Sequence, residues 1–352
     1  MSNSTVAHNL IKGRRNYFHF LENAVRGLSL LGVVGGFCVG AVFSFSARAQ
    51  SWQTVETQGQ VTARHEAGLV AFANNIYLIG GRRINPVDKL DTRSLVWHAG
   101  AKSPGDLHHF QATVWKDAIV AAGAMSGGFP DEKPLSHIYF YYPKKDSWQQ
   151  GPEIPVERRR GGAGSVVVGN TLYLVGGITN GHIDGYVNWF DAVNLKTGEW
   201  QVLADAPHKR DHFQAAIIDG KIYAAGGRTT SKATGEVFNL LVPKVDVYDL
   251  KTASWTTLDT PLPTPRAGNT SFAHKGKLYV VGGETFASKS AHSEVEIYDP
   301  ISATWTTAEP LQRGRHGTGI GYARGYLWTA SGSGNRGGSP ELESTERKPV
   351  RK

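Results

Sequence analysis

The chain has 352 residues and a formal net charge of +8. Residues 50–352 hold 33 basic and 29 acidic residues, so the net charge over most of the chain is only +4. Because no basic run is interleaved with aromatic residues, the sequence does not indicate a nucleic-acid-binding protein. The chain has one cysteine, Cys38, so no disulfide within the chain can stabilise the fold, and packing has to do so.

Residues 1–49 have the pattern of an export signal. A basic lead with Arg14 and Arg15 precedes an apolar run over residues 28–45, and Ala47-Arg48-Ala49 is a small-x-small cleavage pattern. Paired arginines before two aromatic residues resemble a twin-arginine signal. We predict cleavage after Ala49, which yields a periplasmic or secreted protein without cysteine and without stable membrane insertion. The alternative is a membrane anchor through residues 28–45, a length that nearly spans a bilayer.

The stretch from Arg210 to Gly227 shows the unit from which the rest of the chain is built. Two short apolar runs flank Asp219-Gly220, a dipeptide that favours a tight β-hairpin turn. The second run ends at Gly226-Gly227, and a third run containing Tyr248-Asp249 leads to Trp255. The unit therefore predicts four short strands.

The unit occurs six times. The Gly pair, or its degraded equivalent, recurs at Gly80-Gly81, Gly123-Ala124, Gly176-Gly177, Gly226-Gly227, Gly282-Gly283 and Ser331-Gly332. Sixteen positions before each pair stand Arg64, Leu107, Arg160, Arg210, Arg266 and Arg315. The closing tryptophans Trp97, Trp148, Trp200, Trp255 and Trp305 lie 51, 52, 55 and 50 residues apart. A period near ~50 residues with four strands per unit is typical of a propeller.

On these motifs the chain resembles the kelch-repeat family. The resemblance implies an all-β fold, a six-bladed kelch-type β-propeller over residues 50–345, followed by a charged tail over residues 346–352. The sixth unit has no closing tryptophan, and we place its third strand near Glu341-Leu342-Glu343. Trp52 stands before the first unit, so we predict that the strand around Trp52 closes the last blade.

The family's blade order implies that the segments leading into the six inner strands meet at one channel mouth. We predict that five arginines, few carboxylates and several histidines surround this funnel, with an apolar wall at Leu107. The predicted ligand-binding residues are Arg64, His65, His108, His109, Arg160, Arg210, His212, Arg266, Arg315 and His316. An alternative is that the arginines are architectural, because a planar guanidinium can tie loops together through carbonyl oxygens. Repeat spacing does not show converging metal ligands, and we predict neither a metal site nor a cofactor.

A mouth of this composition attracts anions. We therefore predict a monomeric, non-catalytic module that binds an acidic glycan or an acidic protein segment. The kelch-repeat family that the chain resembles includes copper radical oxidases, but their cofactor needs a cysteine that the mature chain lacks. It also includes a periplasmic enzyme that interconverts sialic acid anomers. The alternative function is therefore a sugar anomerase, in which His109, His212, Glu66 or Asp211 transfers protons.

Overall fold

A computed structural model describes residues 51–350. The predicted export signal, Cys38 and the last two residues lie outside the described residues. Residues 51–350 form six four-stranded antiparallel sheets, which are the blades of a six-bladed β-propeller. Within this range, the structure contains no helix with the length and apolarity needed to cross a membrane.

Each blade corresponds to one repeat unit of the sequence, and in blades 1 to 5 the strands run outward in chain order. Blade 1 contains β2 to β5 (Ala67–Phe72, Asn75–Gly80, Pro86–Asp91 and Val96–Lys102). Blade 2 contains β6, β7, β10 and β11 (Ala112–Trp115, Ala118–Ala121, His137–Tyr142 and Ser147–Glu153). Blade 3 contains β12, β13, β16 and β17 (Gly164–Val168, Thr171–Val175, Phe190–Asn194 and Trp200–Val202).

The remaining three blades follow the same order. Blade 4 contains β18 to β21 (Ala215–Ile218, Lys221–Ala224, Asp246–Asp249 and Ser254–Thr257). Blade 5 contains β22 to β25 (Thr270–His274, Lys277–Val281, Val295–Asp299 and Thr304–Ala308). Blade 6 contains β26 to β28 (Gly321–Ala323, Tyr326–Ala330 and Thr345–Pro349) and, from the start of the chain, β1 (Gln53–Val55).

Two short hairpins are inserted between the second and third strands of neighbouring blades. β8 and β9 (Met125–Ser126 and Lys133–Pro134) extend blade 2, and β14 and β15 (Ile178–Asn180 and Asp184–Tyr186) extend blade 3. A 3-10 turn over Val156–Arg158 precedes the inner strand of blade 3. The predicted turn at Asp219-Gly220 is confirmed, because it joins β18 to β19 with positive φ angles of 47° and 75°, as a two-residue hairpin requires.

The predicted closure of the last blade is confirmed. β1 pairs antiparallel with β28, with Gln53 opposite Arg347 and Val55 opposite Thr345. Trp52 is 1% exposed and packs among apolar residues of blades 5 and 6. The third strand of blade 6 lies at Thr345–Pro349, later than the predicted position at 341–343. Residues 346–349 are therefore part of the blade rather than of a tail, because they pair with β27 as well as β1.

A ring of backbone hydrogen bonds surrounds the propeller axis where the chain enters the inner strands. Each blade donates an N–H to a carbonyl oxygen of the preceding blade, at 2.6–3.2 Å, and Ala67 closes the ring by donating to Gly317. The residues that supply the carbonyl oxygens all have positive φ, between 54° and 64°: Glu66, His109, Gly162, His212, Gly268 and Gly317. Three blades thus hold Glu66, His109 and His212 in a conformation that favours glycine.

Candidate functional site

The five repeated arginines lie inside the blades. Their residues are at most 2% exposed, and every guanidinium donates to backbone carbonyl oxygens and pairs with a carboxylate on the third strand of its blade. The pairs are Arg64–Asp88, Arg160–Asp191, Arg210–Asp246, Arg266–Glu296 and Arg315–Glu346. The prediction that these arginines surround the funnel is therefore wrong, because the blade encloses their side chains and their terminal guanidinium nitrogens donate within it.

Blade 2 differs from the other five at several of these positions together. Leu107 replaces the arginine, and Tyr139 occupies the strand position of the acid, opposite Ala121. Ala124 replaces the second glycine of the pair; in blade 1, a Cβ at the equivalent Gly81 would lie 2.9 Å from Arg64 Cδ. Leu107 is buried in an apolar cluster against which Tyr139 packs. The predicted apolar wall at Leu107 is therefore wrong, since that side chain belongs to the core.

A cavity of about 440 Å³ opens at the mouth of the channel above the backbone ring. Both the entry segments of the inner strands and the loops between second and third strands contribute to it. Its lining residues are His65, Glu66, Arg82, His109, Phe129, His182, Arg228, Phe238, Glu284, His316, Gly337 and Gly338. The structure thus brings together His65, Glu66, His109 and His316 of the predicted set, while His108, His212 and Asp211 lie buried beside them.

Carboxylates balance the basic residues of this mouth. Glu284 lies 2.5 Å from Arg228 and accepts a hydrogen bond from the Gly337 N–H at 2.8 Å. Glu132 pairs with Arg82 and with His182. Burial alone would raise the pKa of Glu132, but hydrogen bonds from His182 and Arg82 lower it to about 2. The expectation of few carboxylates is therefore wrong, because carboxylates pair with Arg82, Arg228 and His182 at the mouth.

His316 is a positively charged histidine on the cavity wall. Its Nε2 lies 3.4 Å from Glu284 Oε2, and its Nδ1 lies 3.6 Å from Glu66 Oε1. Burial alone would lower the pKa of His316, but the carboxylates of Glu284 and Glu66 raise it to about 9. Burial would likewise raise the pKa of Glu66, but the charge and hydrogen bonding of His316 hold it well below its usual value. The cavity floor therefore carries a carboxylate beside an imidazolium.

His109, His182 and His212 form a buried cluster next to this floor. His182, in the hairpin inserted in blade 3, and Glu132, in the insertion of blade 2, are not among the residues predicted from the sequence. Burial lowers the pKa of His109 well below its usual value and that of His182 to about 4. Burial also lowers the pKa of His108, whose Nδ1 lies 2.5 Å from His109 Nδ1. The imidazoles of His108, His109 and His182 are therefore neutral at pH 7.

The rim of the cavity is aromatic and basic. The phenyl rings of Phe129 and Phe286 are exposed, at 51% and 60%, and that of Phe238 lines the cavity. Arg336 lies over Phe238 and Phe286, with its guanidinium carbon 5.7 and 4.9 Å from the ring centroids, and Lys232 lies over Phe129. A ligand entering the cavity would meet flat apolar faces and positive charges before it reached the polar floor.

Residues that were predicted to form a strand are also part of the rim. Glu341 Oε1 lies 2.7 Å from His65 Nδ1, and its Oε2 accepts a hydrogen bond from Arg83 at 2.6 Å. The segment around Glu341 therefore ties blade 6 to blade 1 at the mouth, rather than forming a blade strand.

The fold and this mouth define a six-bladed kelch-type propeller. Residues 109–320 match the KLHDC2/KLHL20/DRC7 kelch-repeats domain family, which is more than half of the chain. The chain belongs to the kelch-repeat family.

Individual relatives are similar over much of the chain. Kelch-like protein terF of Aspergillus terreus (strain NIH 2624 / FGSC A1156) is 27% identical over 288 residues, covering 76% of this chain and 61% of that protein. Kelch-like protein 23 of Homo sapiens is 24% identical over 250 residues, covering 69% and 41%. The chain thus spans less than two thirds of the length of these relatives. The solved structure titled "Structure of YjhT" superposes with a TM-score of 0.68 at 16% identity, covering 82% of this chain and 96% of that one, which shows a shared fold.

Proposed function

We propose that this propeller binds a small acidic sugar, or the acidic end of a glycan, in the mouth cavity. The observation that carries the proposal is the cavity itself: about 440 Å³, with aromatic faces at its rim and charged groups at its floor. This volume is typical of small-ligand sites. An acidic protein segment is the alternative ligand, and it would use the same rim.

The aromatic and basic rim and the polar floor of the cavity match the apolar C–H face and the polar groups of an acidic sugar. The ring of Phe129 offers an exposed apolar face against which the C–H face of a sugar can pack. The guanidinium of Arg82, whose side chain is 18% exposed, offers its remaining donors to a carboxylate. Below them, Glu66, Glu284 and His316 supply hydrogen-bond partners for hydroxyl groups. The arginines of the repeat take no part in this proposal.

Removing either rim contact is expected to weaken binding. Arg82→Gln should raise the Kd for an acidic sugar about 10- to 150-fold, because a charged hydrogen bond contributes about 1.5–3 kcal/mol. Phe129→Leu should raise it about 2- to 10-fold, because aromatic contacts contribute about 0.5–1.5 kcal/mol. Calorimetric titration with a sialic acid, a uronic acid, their neutral counterparts and an acidic peptide measures these values.

Tyr322→Ala is the matched control, because Tyr322 is an exposed aromatic residue that does not line the cavity. Binding by the parent should weaken with salt, as a charged contact does. If the parent binds none of the acidic sugars, or if both rim variants bind them like the parent, the proposal fails. Preference for the peptide over every sugar would assign the mouth to protein segments instead.

A sugar anomerase remains the second candidate, because one arrangement in the cavity favours it. The neutral imidazole of His109 has its Nε2 3.7 Å from Glu66 Oε2, and the charged His316 stands on the other side of Glu66. Ring opening of a sugar needs a general acid and a general base within hydrogen-bond reach. Exchange between the anomers of a bound sugar, followed by NMR, separates the two functions. Exchange that is abolished in Glu66→Gln would support catalysis, and binding without exchange would support the binding module.

Export belongs to the same proposal. We infer from the basic lead, the apolar run and the Ala47-Arg48-Ala49 pattern that the protein acts outside the cytoplasm, with Gln50 as its first residue. The intact mass of protein recovered from an extracytoplasmic fraction should correspond to residues 50–352. Recovery of the uncleaved chain in the membrane fraction would replace this proposal with the anchored alternative.

A further inference from the structure

Three imidazole rings from different blades converge beside the cavity. One ring nitrogen each of His109, His182 and His212 lies within 4.8 Å of the others. His182 Nε2 and His212 Nε2 are 2.9 Å apart, and all three residues are buried. Two nitrogen ligands about 2.0–2.1 Å from a tetrahedral zinc ion lie about 3.3 Å apart, so this pair would have to separate by only about 0.4 Å.

Carboxylates orient two of these rings through their other nitrogen. His182 Nδ1 lies 2.9 Å from Glu132 Oε2, and His212 Nδ1 is hydrogen-bonded to the Asp211 carboxylate. Asp211 in turn accepts hydrogen bonds from the Thr230 N–H at 3.0 Å and from its hydroxyl at 2.6 Å. A carboxylate on one nitrogen fixes the tautomer that leaves the other nitrogen free to bind a metal, which is the usual outer shell of a histidine metal site.

Two of the three histidines have an unfavourable backbone conformation. His109 and His212 have φ angles of 56° and 54°. They lie in the ring of backbone hydrogen bonds around the axis, at positions where the equivalent residues of three blades are glycines. His182 lies in the turn between β14 and β15, the hairpin inserted in blade 3. Strained conformations and insertions of this kind are typical of functional sites. A core that needed only packing would be served by glycine here, as in three of the other four blades.

The contact between His182 Nε2 and His212 Nε2 does not by itself account for a cluster of three rings. In the absence of an ion, two of the nitrogens can share a single proton, but such a hydrogen bond does not use the third ring. His109 and His182 also line the mouth cavity, so one side of the cluster faces ligand space.

We propose that His109, His182 and His212 bind one divalent transition-metal ion of the zinc class, with a fourth position open toward the cavity. Three histidines and one open position are the ligand set of catalytic zinc sites, and imidazole sites favour zinc, copper and nickel over magnesium or calcium. Glu66 lies on the cavity side of the cluster, with its Oε2 3.7 Å from His109 Nε2. This inference departs from the sequence-based expectation of no metal, which did not include His182. It does not depend on the proposed sugar ligand.

Zinc binding by the untagged full chain tests the proposal. After chelator treatment, calorimetric titration should show one zinc ion per chain, and Co²⁺ should give the intense visible absorption of a tetrahedral site. His182→Gln should weaken zinc binding more than about 100-fold, and Asp211→Asn, which removes an orienting charge, about 10- to 100-fold. Zinc should also raise the melting temperature of the parent, because it binds only the folded chain.

His65→Gln is the matched control, since His65 lines the same cavity but lies outside the cluster. It should bind zinc like the parent. Melting curves without metal show whether each variant folds. If His182→Gln does not fold, zinc binding by Asp211→Asn and its Co²⁺ spectrum still decide the question. Absence of one-to-one binding, or equal affinity in the parent and both cluster variants, would overturn the proposal. Neither result would bear on sugar binding, which is measured separately with chelator present and with zinc added.

Discussion

Arg266→Ala is expected to lower the free energy of unfolding by about 3–5 kcal/mol, the range for breaking one side of a buried ion pair. Arg266 Nη1 lies 2.6 Å from Glu296 Oε2, and its Nη2 donates to the Val280 carbonyl at 2.9 Å. Both partners are almost fully enclosed, so removing the guanidinium leaves the Glu296 carboxylate with Thr264 as a hydrogen-bond donor but without its buried cation, and the Val280 carbonyl without this donor. Chemical denaturation of the parent and the variant measures the difference.

Blade 2 suggests a compensating change. There, Leu107 and Tyr139 occupy the places of the arginine and the acid, and the blade folds with the same four strands. We therefore expect the double variant Arg266→Leu with Glu296→Tyr to be more stable than Arg266→Leu alone, because no buried charge then lacks a partner. Arg93→Ala, at an exposed position, should change stability by less than about 0.5 kcal/mol. An Arg266→Ala variant as stable as this control would show that the pair does not support the blade.

These arginines also show where sequence reasoning fails. Their fixed distance from the Gly pair made the repeat visible, but their acidic partners follow at irregular distances: 24 residues for Arg64, 36 for Arg210 and 30 for Arg266. The loops between second and third strands vary in length, and they hide the pairing from a search for fixed spacing. The arginine that recurs in five of six blades is explained by the ion pair and hydrogen bonds it makes within each of those blades, which apolar packing replaces in blade 2.

The site depends on what differs between blades. His182 and Glu132 lie in the hairpins inserted after the Gly pairs of blades 3 and 2, where the period offers no equivalent residue for comparison. His109 and His212 could be predicted as candidates because they replace glycine at a shared position of the repeat. The orientation of their side chains could not be predicted, because it depends on the ring of backbone hydrogen bonds that forms only when the six blades close.

The closure of blade 6 by β1 leads to a second prediction with a large expected effect. Trp52→Ala is expected to lower the free energy of unfolding by about 3–5 kcal/mol, as deletion of a buried aromatic side chain does. Trp52 packs with Val281, Val295 and Leu311 of blade 5 and with Leu327 of blade 6, so its indole joins two blades as well as anchoring β1. A cavity of about 510 Å³ already borders it, and removing the indole would enlarge that space instead of letting neighbours collapse into it.

The measurement compares Trp52→Ala with Ile301→Ala in urea. Ile301 is 97% exposed, so its truncation should leave stability within about 0.5 kcal/mol of the parent. Deleting residues 51–56 should cost more than Trp52→Ala, because the pairing of β1 with β28 is lost along with the indole. The edge of β28 would then be left unpaired, and we expect the deleted protein to aggregate on storage. A deletion that leaves the denaturation midpoint unchanged would mean that blades 1 and 6 hold together without this strand.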